Sequence, residues 1–564
     1  MTNLVETAKS QIKQAVVSAV GQATAAGELP EVHIGEMVIE VPRDKQHGDF
    51  ATNVAMQITR QAKKAPRMIA DILVNNMEFK DTLIEKVEVA GPGFINFYFK
   101  KDWLYQVISA IDKEGTGYGK INIGNGQKVM VEFVSANPTG PMHMGNARGG
   151  ALGDCLASVL DWAGYDVTRE FYINDAGNQI EKFGKSLEAR YIQLLKGEDA
   201  FVFPEDGYHG EDIKDHMKDF IALEGDKYLG IDSEERKTAF VEFALKKNID
   251  NLKADLKLYG IEYDVWFHES ELYENNEVQE TVDYLVENGY AYEKEDAVWF
   301  KASEFGAEKD EVLVRNNGIP TYFAADIAYH RNKFVKRGFD RVIDIWGADH
   351  HGHVARMKGA MKAVGCDPDK LDIIIMQLVR LLRNGEVARM SKRTGRSITL
   401  RDLLEETSID AARFFFNMRQ AGSHLDFDID LSVEQSNDNP VFYVQYAHAR
   451  ICSIIKLLEE DGVNIKPADQ VDVSLLVAPE ELELLKKLAE LPEEIKSAAL
   501  TMEPSRMTRY VMDLAGLFHS FYNACRVKVE DQALMMARLK LVDSVRIVVK
   551  NVLDMLGINA PEKM

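Results

Sequence analysis

A short apolar segment that leads into a Pro- and Gly-rich turn and then into a helix constrains the fold more than any other feature. Residues 131–134 predict a buried strand, residues 137–146 form the turn, and residues 147–154 begin the helix. Free backbone N–H groups and the helix dipole meet at such a helix N-terminus, so anions bind there readily. His143 and Asn146, three positions apart, are expected to share one face of the first helical turn. The pattern predicts a nucleotide whose phosphates lie at the start of the helix.

The middle of the chain alternates short apolar strands with helices, which is the βαβ pattern of a parallel sheet. The strands are predicted at residues 131–134, 166–172, 341–346 and 373–378. A polar, helix-rich stretch at about 195–285 is interpreted as an insertion within this sheet. After about residue 400 the strand signals end, and the apolar spacing is helical to the last residues.

These patterns predict an α/β fold with three domains, in which a Rossmann-like doubly wound parallel sheet forms the central, catalytic domain. The predicted domains are an α+β N-terminal domain at residues 1–115, the parallel-sheet domain at 120–400 and an all-α C-terminal bundle at 401–564. Several domains agree with the length of 564 residues. A content of 46% hydrophobic and 28% charged residues is typical of an ordered globular protein.

The cysteines and the apolar segments predict a cytoplasmic protein that does not contact a membrane. The first residues lack the charged-then-apolar layout of a signal peptide, and no segment approaches the roughly 20 apolar residues of a membrane span. Because no two cysteines form a Cys-x-x-Cys pair, neither a zinc site nor a disulfide framework is expected. The four cysteines are Cys155, Cys366, Cys452 and Cys525.

A net charge of −23 constrains only the average, because phosphate binding needs a local basic surface rather than a basic protein. One window supplies such a surface, with Glu386 as its only acid. Its basic residues are Arg380, Arg383, Arg389, Lys392, Arg393, Arg396 and Arg401. Gly385 and Gly395 interrupt the window, which favours a loop over the alternative, a solvated helix face.

The window contains a second motif, Arg389-Met390-Ser391-Lys392-Arg393, about 240 residues after the first turn. Together, in this order around a doubly wound sheet, the two segments resemble the His-Ile-Gly-His and Lys-Met-Ser-Lys-Ser signatures of class I aminoacyl-tRNA synthetases. Within that class the chain resembles the arginyl-tRNA synthetases of the bacterial type. The resemblance covers essentially the whole chain, and the residues that carry it are 47–53, 132–141, 172–179 and 410–413.

The resemblance implies a two-step reaction. Arginine and ATP, the latter as its Mg²⁺ complex, would give arginyl-adenylate and pyrophosphate, and the arginyl group would then pass to the 3′-terminal adenosine of tRNA(Arg). Activation of arginine would require bound tRNA. The N-terminal domain would contact tRNA, the C-terminal domain would bind the anticodon, and the protein would be a monomer. Neither zinc nor another resident metal is expected.

The resemblance also implies which residues form the site. The catalytic residues would be His143, Asn146 and Lys392, and ATP would contact these three with Pro138, Gly145, Met390 and Ser391. Arginine would contact Glu132, Ser135, Asn137, His143, Tyr322, Asp326 and His350. A guanidinium prefers bidentate carboxylate partners, so Asp326 is expected to bind it, with Glu132 as the alternative or second partner. The residues that would contact tRNA are Phe94, Asn96, Tyr443, Tyr446 and Arg450.

Several of these assignments have a purely structural alternative. Asp326 can cap the helix that continues at residues 327–329, and Glu132, at the end of a strand, can form an ordinary ion pair. The two tyrosines near residue 445 can belong to the core of the helical bundle. The alternation around Phe94 and Asn96 is what any strand shows.

Two departures from the class signatures lower the local positive charge. Asn146 stands where the first signature has its second histidine, and an Asn donates a hydrogen bond without carrying charge. Gly140 stands where many relatives carry a lysine, whereas Lys392 is kept in the second signature, in which Arg389 replaces the first lysine. Lys392 is therefore expected to supply much of the charge that stabilises the phosphates during the reaction.

Other functions agree with parts of the sequence. They are a class I synthetase for another amino acid, a small-substrate nucleotidylyltransferase with the same His-x-Gly loop, and an RNA-binding paralogue without activity. A dinucleotide-dependent oxidoreductase fits less well, because the glycines of residues 145–153 do not have the Gly-x-Gly-x-x-Gly spacing. Retention of His143, Lys392 and Asp326 speaks against the inactive paralogue.

Overall fold

The computed structural model describes residues 2–42, 44–388 and 398–564. The N-terminal part contains an antiparallel sheet of four strands in the order β1-β2-β4-β3. These strands are β1 (Ile39–Glu40), β2 (Phe50–Thr52), β3 (Ile84–Ala90) and β4 (Phe94–Phe99). The helices of this part are α1 (Leu4–Ala25), α2 (Val54–Gln57), α3 (Thr59–Ala62), α4 (Pro66–Asn75) and α5 (Asp102–Glu114). Apolar residues at helical spacing are buried along α1, which packs against α4.

The central part contains a five-stranded parallel sheet and a small antiparallel sheet. The strands are β5 (Lys128–Glu132), β6 (Asp166–Ile173), β7 (Val265–His268), β8 (Ala291–Lys294), β9 (Ala297–Phe300), β10 (Glu311–Val314), β11 (Arg341–Gly347) and β12 (Leu371–Met376). The parallel sheet has the order β12-β11-β5-β6-β7, so the direction of strand addition reverses between β5 and β11. In doubly wound sheets, ligands bind in the crevice at that reversal, at the carboxyl ends of the strands.

All four strands that the sequence predicts for the parallel sheet are present, and the α/β fold is confirmed. The fifth strand, β7, lies inside the range 195–285, so this range is not wholly outside the sheet. The helices of the central part are α6 (Gly145–Trp162), α7 (Asn178–Lys196), α8 (Glu211–Glu224), α9 (Ser233–Leu258), α10 (Glu269–Glu274), α11 (Glu277–Glu287), α12 (Tyr322–Arg331) and α13 (Val354–Ala363). Helices α7 to α9 bury a separate cluster that includes Phe183, Tyr191 and Phe240.

A third small sheet follows, with the order β14-β13-β15. Its strands are β13 (Val379–Arg383), β14 (Glu386–Val387) and β15 (Leu425–Asp428). The expectation that strands end near residue 400 is wrong, because β15 pairs with β13. Two apolar residues alternate with two aspartates in β15, a pattern too short to predict a strand.

The C-terminal part is helical. The helices after β14 are α14 (Leu400–Glu406), α15 (Ile409–Asn417), α16 (Ile429–Val433), α17 (Pro440–Glu460), α18 (Pro479–Thr501), α19 (Ser505–Ala524) and α20 (Gln532–Leu556). The last four pack together as the expected bundle, and α18 and α20 also pack on α5 and α6. In the part of the chain that the structure describes, no helix is both long and apolar enough to cross a membrane.

Candidate active site

The site begins where β5 ends, two residues earlier than the sequence predicts. Val134 and Ser135 have φ angles of +70° and +42°, a region that a β-branched residue rarely enters. Such strain costs about 1–3 kcal/mol per residue and persists only where surrounding contacts enforce it. The Ser135 hydroxyl donates to Glu132 Oε1 at 2.8 Å and accepts the Tyr172 N–H at 3.2 Å. The strained turn therefore places Ser135 between two strands, against the cavity described below.

The first signature occupies the loop between this turn and α6. Because α6 begins at Gly145, His143 precedes the helix and does not share its first turn with Asn146, contrary to the prediction from spacing. His143 Nδ1 instead accepts the N–H of Gly145 at 3.0 Å, and desolvation by neighbouring atoms lowers the pKa of the imidazole. The positive end of the helix dipole at the start of α6 remains the predicted position of the phosphates.

The loop of the first signature is bonded to the residues that directly follow the second. Two backbone hydrogen bonds of 3.0 and 2.9 Å join residues 142–144 to residues 398–400, and His143 pairs with Thr399. Three predicted ATP-binding residues lie outside the described residues: Met390, Ser391 and Lys392. The chain therefore returns to the first signature a few residues after Lys392.

A cavity of about 530 Å³ lies at the carboxyl ends of the parallel strands, a size typical of small-molecule sites. Five of the residues predicted to bind arginine line it: Glu132, Ser135, Tyr322, Asp326 and His350. The other two, Asn137 and His143, are exposed on the loop of the first signature. The structure thus gathers most of the residues predicted to bind arginine into one cavity, and the loop predicted to bind phosphates lies outside it.

Asp326 lies on α12 and lines the cavity. The N-cap of α12 is Thr321, whose side chain accepts the Ala324 N–H, so the interpretation of Asp326 as a helix cap is wrong. Asp326 Oδ2 lies 2.7 Å from His353 Nε2, and Oδ1 lies 3.2 Å from His330 Nδ1. Burial disfavours the ionised carboxylate, but the two histidines outweigh burial and hold the pKa of Asp326 well below its usual value. The carboxylate is therefore ionised and placed to bind a cation.

Three carboxylates stand in register on three neighbouring strands: Asp344 on β11, Glu132 on β5 and Glu170 on β6. The end of α12 and the π-helical turn after it supply three bases at helical spacing: His330, Lys333 and Arg337. Lys333 Nζ lies 2.6 Å from Glu132 Oε2 and 2.9 Å from Asp344 Oδ1. His330 Nε2 lies 2.8 Å from Asp344 Oδ2, and Arg337 Nη2 donates to Glu170 Oε1 at 2.9 Å. These buried charges are thus matched in pairs, as low-dielectric surroundings require.

This pairing shows the ordinary ion pair that was the structural alternative for Glu132. Its Oε2 accepts hydrogen bonds from Lys333 and, at 3.0 Å, from Tyr329, while Oε1 accepts from Ser135. Burial raises the pKa of Glu132, although Lys333 acts in the opposite direction. Glu132 is thus occupied by a lysine and two hydroxyl groups, whereas the two oxygens of Asp326 have one histidine each.

Glu269, at the start of α10, lines the same cavity and was not found from the sequence. It is 2% exposed, and within the described ranges its Oε1 has no hydrogen-bond partner. Burial raises the pKa of Glu269 to about 7, against hydrogen bonds from Tyr172 and Tyr273. A buried acceptor without a partner is costly, so this carboxylate is suited to a donor from a ligand. In the sequence, Glu269 is marked only as an acid that directly follows the short strand β7. Since β7 was not predicted, this signal was missed as well.

Three arginines of the basic window are neutralised by acids from other parts of the chain. The pairs are Arg380 with Asp426, Arg383 with Glu406 and Arg401 with Asp255. Their charge is therefore largely taken up within the protein. The remaining basic residues of the window lie among residues 389–397, outside the described residues.

The residues predicted to contact tRNA lie in the first and last parts of the fold. Tyr443, Tyr446 and Arg450 are half-buried on α17, and the Tyr446 ring stacks on His519 of α19 at 6.2 Å between centroids. Arg450 donates to the Tyr446 hydroxyl at 2.7 Å. Tyr443 also packs against the main hydrophobic core, so the two tyrosines form a partly exposed aromatic cluster at its edge. On β4, Phe94 is half-buried, whereas Asn96 is only 3% exposed.

Comparison with known families and proteins finds an N-terminal, a catalytic and an anticodon-binding domain in this order along the chain. Three family models match consecutive segments: the arginyl tRNA synthetase N terminal domain at residues 6–99, the class I (R) tRNA synthetase catalytic domain at residues 106–421, and the DALR anticodon binding domain at residues 444–564. The chain is 66% identical over 564 residues to the arginine–tRNA ligase of Acetivibrio thermocellus and 64% identical over 564 residues to that of Ruminiclostridium cellulolyticum, with 100% of each chain covered.

A solved structure shows the same fold. The arginyl-tRNA synthetase of Thermus thermophilus is 22% identical and has a TM-score of 0.73, covering 97% of this chain and 99% of that one. The match of the class I catalytic model and the full-length similarity to arginine–tRNA ligases confirm the resemblance seen in the sequence. The chain therefore belongs to the arginyl-tRNA synthetase family, within class I of the aminoacyl-tRNA synthetases.

Proposed function

We propose that the cavity binds L-arginine through Asp326, which accepts hydrogen bonds from the guanidinium. An ionised carboxylate matches a planar guanidinium in charge and in bidentate geometry. Glu269 is a second acceptor, because its Oε1 has no partner within the described ranges. Tyr322 and Ser135 line the wall around the substrate, and His350 closes the cavity at the end of β11. Lys333 neutralises Glu132, so the charge of Glu132 is not available to the substrate.

ATP binds beside this cavity, with its phosphates at the start of α6. Gly145 and Asn146 lie at the positive end of the dipole of α6, and Pro138 and His143 lie on the preceding loop. No group of three or more His, Cys, Asp or Glu side chains among the described residues converges on a metal position. The resemblance to the family implies that Mg²⁺ enters as part of the ATP substrate, held mainly by the phosphates. Lys392 adds positive charge from the segment that ends against His143.

The chemistry follows from this placement. A carboxylate oxygen of arginine attacks the α-phosphorus of ATP, the bond to the bridging oxygen of pyrophosphate breaks, and pyrophosphate leaves with the electron pair. A ribose hydroxyl of the terminal adenosine of tRNA(Arg) then attacks the arginyl carbonyl, and AMP leaves. The protein contributes position and charge stabilisation rather than a covalent intermediate.

The partners follow from the family and from the surfaces at the two ends of the fold. The half-buried aromatic cluster on α17 and α19 is suited to stacking on unpaired anticodon bases, and Phe94 of the N-terminal sheet to a contact with the body of the tRNA. From the resemblance to the family, we expect the protein to act as a monomer. It does so in the cytoplasm, where its tRNA is used.

The observation that carries this proposal is the ionised Asp326 in a cavity beside the reversal of strand order. Pyrophosphate exchange with each amino acid, with and without tRNA, tests it. Exchange is expected with arginine only, and only when tRNA(Arg) is present. Lysine and ornithine are the informative competitors, because they carry the charge without the planar fork. Exchange with any other amino acid would refute the assignment of the cavity.

The affinity for arginine is expected to rise with pH through the titration of Glu269, whose pKa lies at about 7. A bound guanidinium favours the ionised carboxylate, so below this pKa binding must displace a proton and weakens by up to about tenfold per pH unit. KM for arginine, measured at saturating ATP and tRNA between about pH 6 and 8, should therefore fall as the pH rises. In Glu269→Gln the KM should be higher and flat; a variant with the same pH dependence as wild type would contradict the role of Glu269.

The aromatic cluster is expected to contribute to tRNA binding. Tyr446→Ala should raise KM for tRNA by about tenfold, because stacking of a base on an aromatic ring is worth about 1–3 kcal/mol. At saturating tRNA, KM for arginine and for ATP should not change. Tyr292→Ala, which removes a partly buried tyrosine from the small sheet of β8, is the matched control. Equal effects of the two substitutions on aminoacylation would contradict the assignment.

A further inference from the structure

Arg148, in the first turn of α6, is fully buried and is bonded by backbone carbonyl groups. Together with Arg413 it is one of the two largest side chains that the structure buries completely, with 0% exposure. Its Nη1 donates to the Gln377 carbonyl and its Nη2 to the Gln420 carbonyl, both at 2.8 Å. Its Nε has no acceptor among the described residues. The guanidinium is therefore bound only by neutral backbone oxygens.

No carboxylate of this chain balances the Arg148 charge at close range. None lies within ion-pair distance among residues 2–42, 44–388 and 398–564, and the remaining residues contain no Asp or Glu. Burial lowers the pKa of Arg148 to about 10, so the group is still charged at neutral pH. Arginines are seldom buried without an anion, because desolvation of the charge is not repaid. An anionic ligand close to Arg148 would balance this charge.

The two carbonyls show what Arg148 connects. Gln377 is the first residue after β12, and its N–H donates to the Ala421 carbonyl at 2.9 Å. Arg148 thus closes a junction of the start of α6, the end of β12 and the turn at residues 420–421. The contact is close: a Cβ added at Gly149 would lie 3.5 Å from the Met376 side chain. The junction lies at the carboxyl ends of the parallel strands, on the side where α6 begins.

We propose that Arg148 is a positioning residue for ATP. Its guanidinium fixes the end of β12 against the phosphate-binding start of α6, and its unbalanced charge favours the phosphates there. Gly145 and Arg148 belong to the same first turn of α6, so a shift of the guanidinium would also shift the helix start at which the phosphates bind. The inference rests on the proposed ATP site and adds a residue outside both signatures.

Arg413 provides a matched control. It is equally buried, its Nε donates to the Leu556 carbonyl at 2.8 Å, and it also contacts α6. Its contact on α6 is the carboxylate of Asp154, so its charge is balanced. A role that is only structural should make the two arginines behave alike. If Arg148 has a role in ATP binding, substitution of Arg148 should change KM for ATP, whereas substitution of Arg413 should not.

The test measures KM for ATP and KM for arginine in tRNA-dependent pyrophosphate exchange, together with the unfolding midpoint of each variant. Arg148→Lys keeps the charge but loses the fork, and should raise KM for ATP by about tenfold, the equivalent of one charged hydrogen bond. Arg148→Met loses both the charge and the planar donor group, and should raise KM for ATP by about a hundredfold. KM for arginine should change by less than about twofold. Arg413→Lys should lower the unfolding midpoint without changing KM for ATP.

Three outcomes would overturn the inference: an unchanged KM for ATP in Arg148→Lys, equal rises in both KM values, or the same pattern in Arg413→Lys. If Arg148→Met does not fold, Arg148→Lys alone decides between these outcomes and the expected one. The wild-type protein, assayed in parallel, separates the two proposals. Its failure to exchange with arginine would refute the proposed function, whereas normal wild-type exchange with unaltered Arg148 variants would refute only the role of Arg148.

Discussion

Replacement of Lys392 by Ala is expected to lower the rate of arginyl-adenylate formation about 10²–10³-fold, the usual cost of removing one donor that stabilises a developing negative charge. The effect should be at the upper end here, because the first signature carries Asn146 and Gly140 where relatives place basic residues. Arginine binding should be nearly unchanged, since the cavity around Asp326 is built from other elements. Single-turnover formation of the adenylate and equilibrium binding of arginine measure the two effects separately.

Arg380→Ala is the control for general loss of positive charge in the same window. Arg380 is exposed and paired with Asp426 at 2.7 Å, and surface pairs of this kind contribute little. Its removal should leave the rate of adenylate formation within about twofold of wild type. A Lys392→Ala enzyme that keeps its rate, or an Arg380→Ala enzyme that loses as much, would show that Lys392 has no special role.

Replacement of Asp326 by Asn is expected to lower kcat/KM for arginine about 10²–10³-fold, because truncation or neutralisation of a buried charged partner costs about 2–5 kcal/mol. The amide keeps the shape of the side chain but loses the charge and one of the two acceptor oxygens that a guanidinium needs. KM for ATP should not change. Steady-state kinetics with varied arginine at saturating ATP and tRNA measure the effect.

Asp326 also contacts His330 and His353, so its replacement can disturb the fold as well as the substrate. Asp372→Asn controls for this, because Asp372 is a partly buried carboxylate of the same sheet that pairs with Arg341 at 2.6 Å away from the cavity. Both substitutions should lower the unfolding midpoint by a few degrees. Only Asp326→Asn should affect arginine; a comparable loss of kcat/KM in Asp372→Asn would contradict a direct role.

The strands of the parallel sheet were predictable because both of their faces are covered, which makes them nearly continuous apolar runs. The strand β7 was missed because it is a four-residue edge strand whose pattern is shared by many non-strand segments. The end of β5 was placed two residues too late for a different reason. Val134 has the composition of a strand residue but a positive φ, and no local pattern reveals strain that distant contacts impose.

Among the cavity residues, one was predictable from the sequence and another was not. Asp326 was predictable because the family motif around it is contiguous, and its alternative role as a cap was excluded only by the contact of Thr321 with Ala324. Glu269 carried no motif of its own. Its importance depends on burial and on an acceptor atom without a described partner, and both are properties of the folded chain.

Contiguous patterns along the chain were thus sufficient for four strands of the parallel sheet, the C-terminal helical bundle, the two signatures and the family, because hydrophobic period and turn chemistry act over a few residues. The state of each charge was decided by the tertiary structure alone. Glu132 meets Lys333 across 201 residues and is neutralised, whereas Asp326 and Glu269 face the cavity. The free energy of a charge depends on its burial and its partners rather than on its position in the sequence. For the same reason, only packing could show that Arg148 lies buried in the first turn of α6 with no counterion among the described residues.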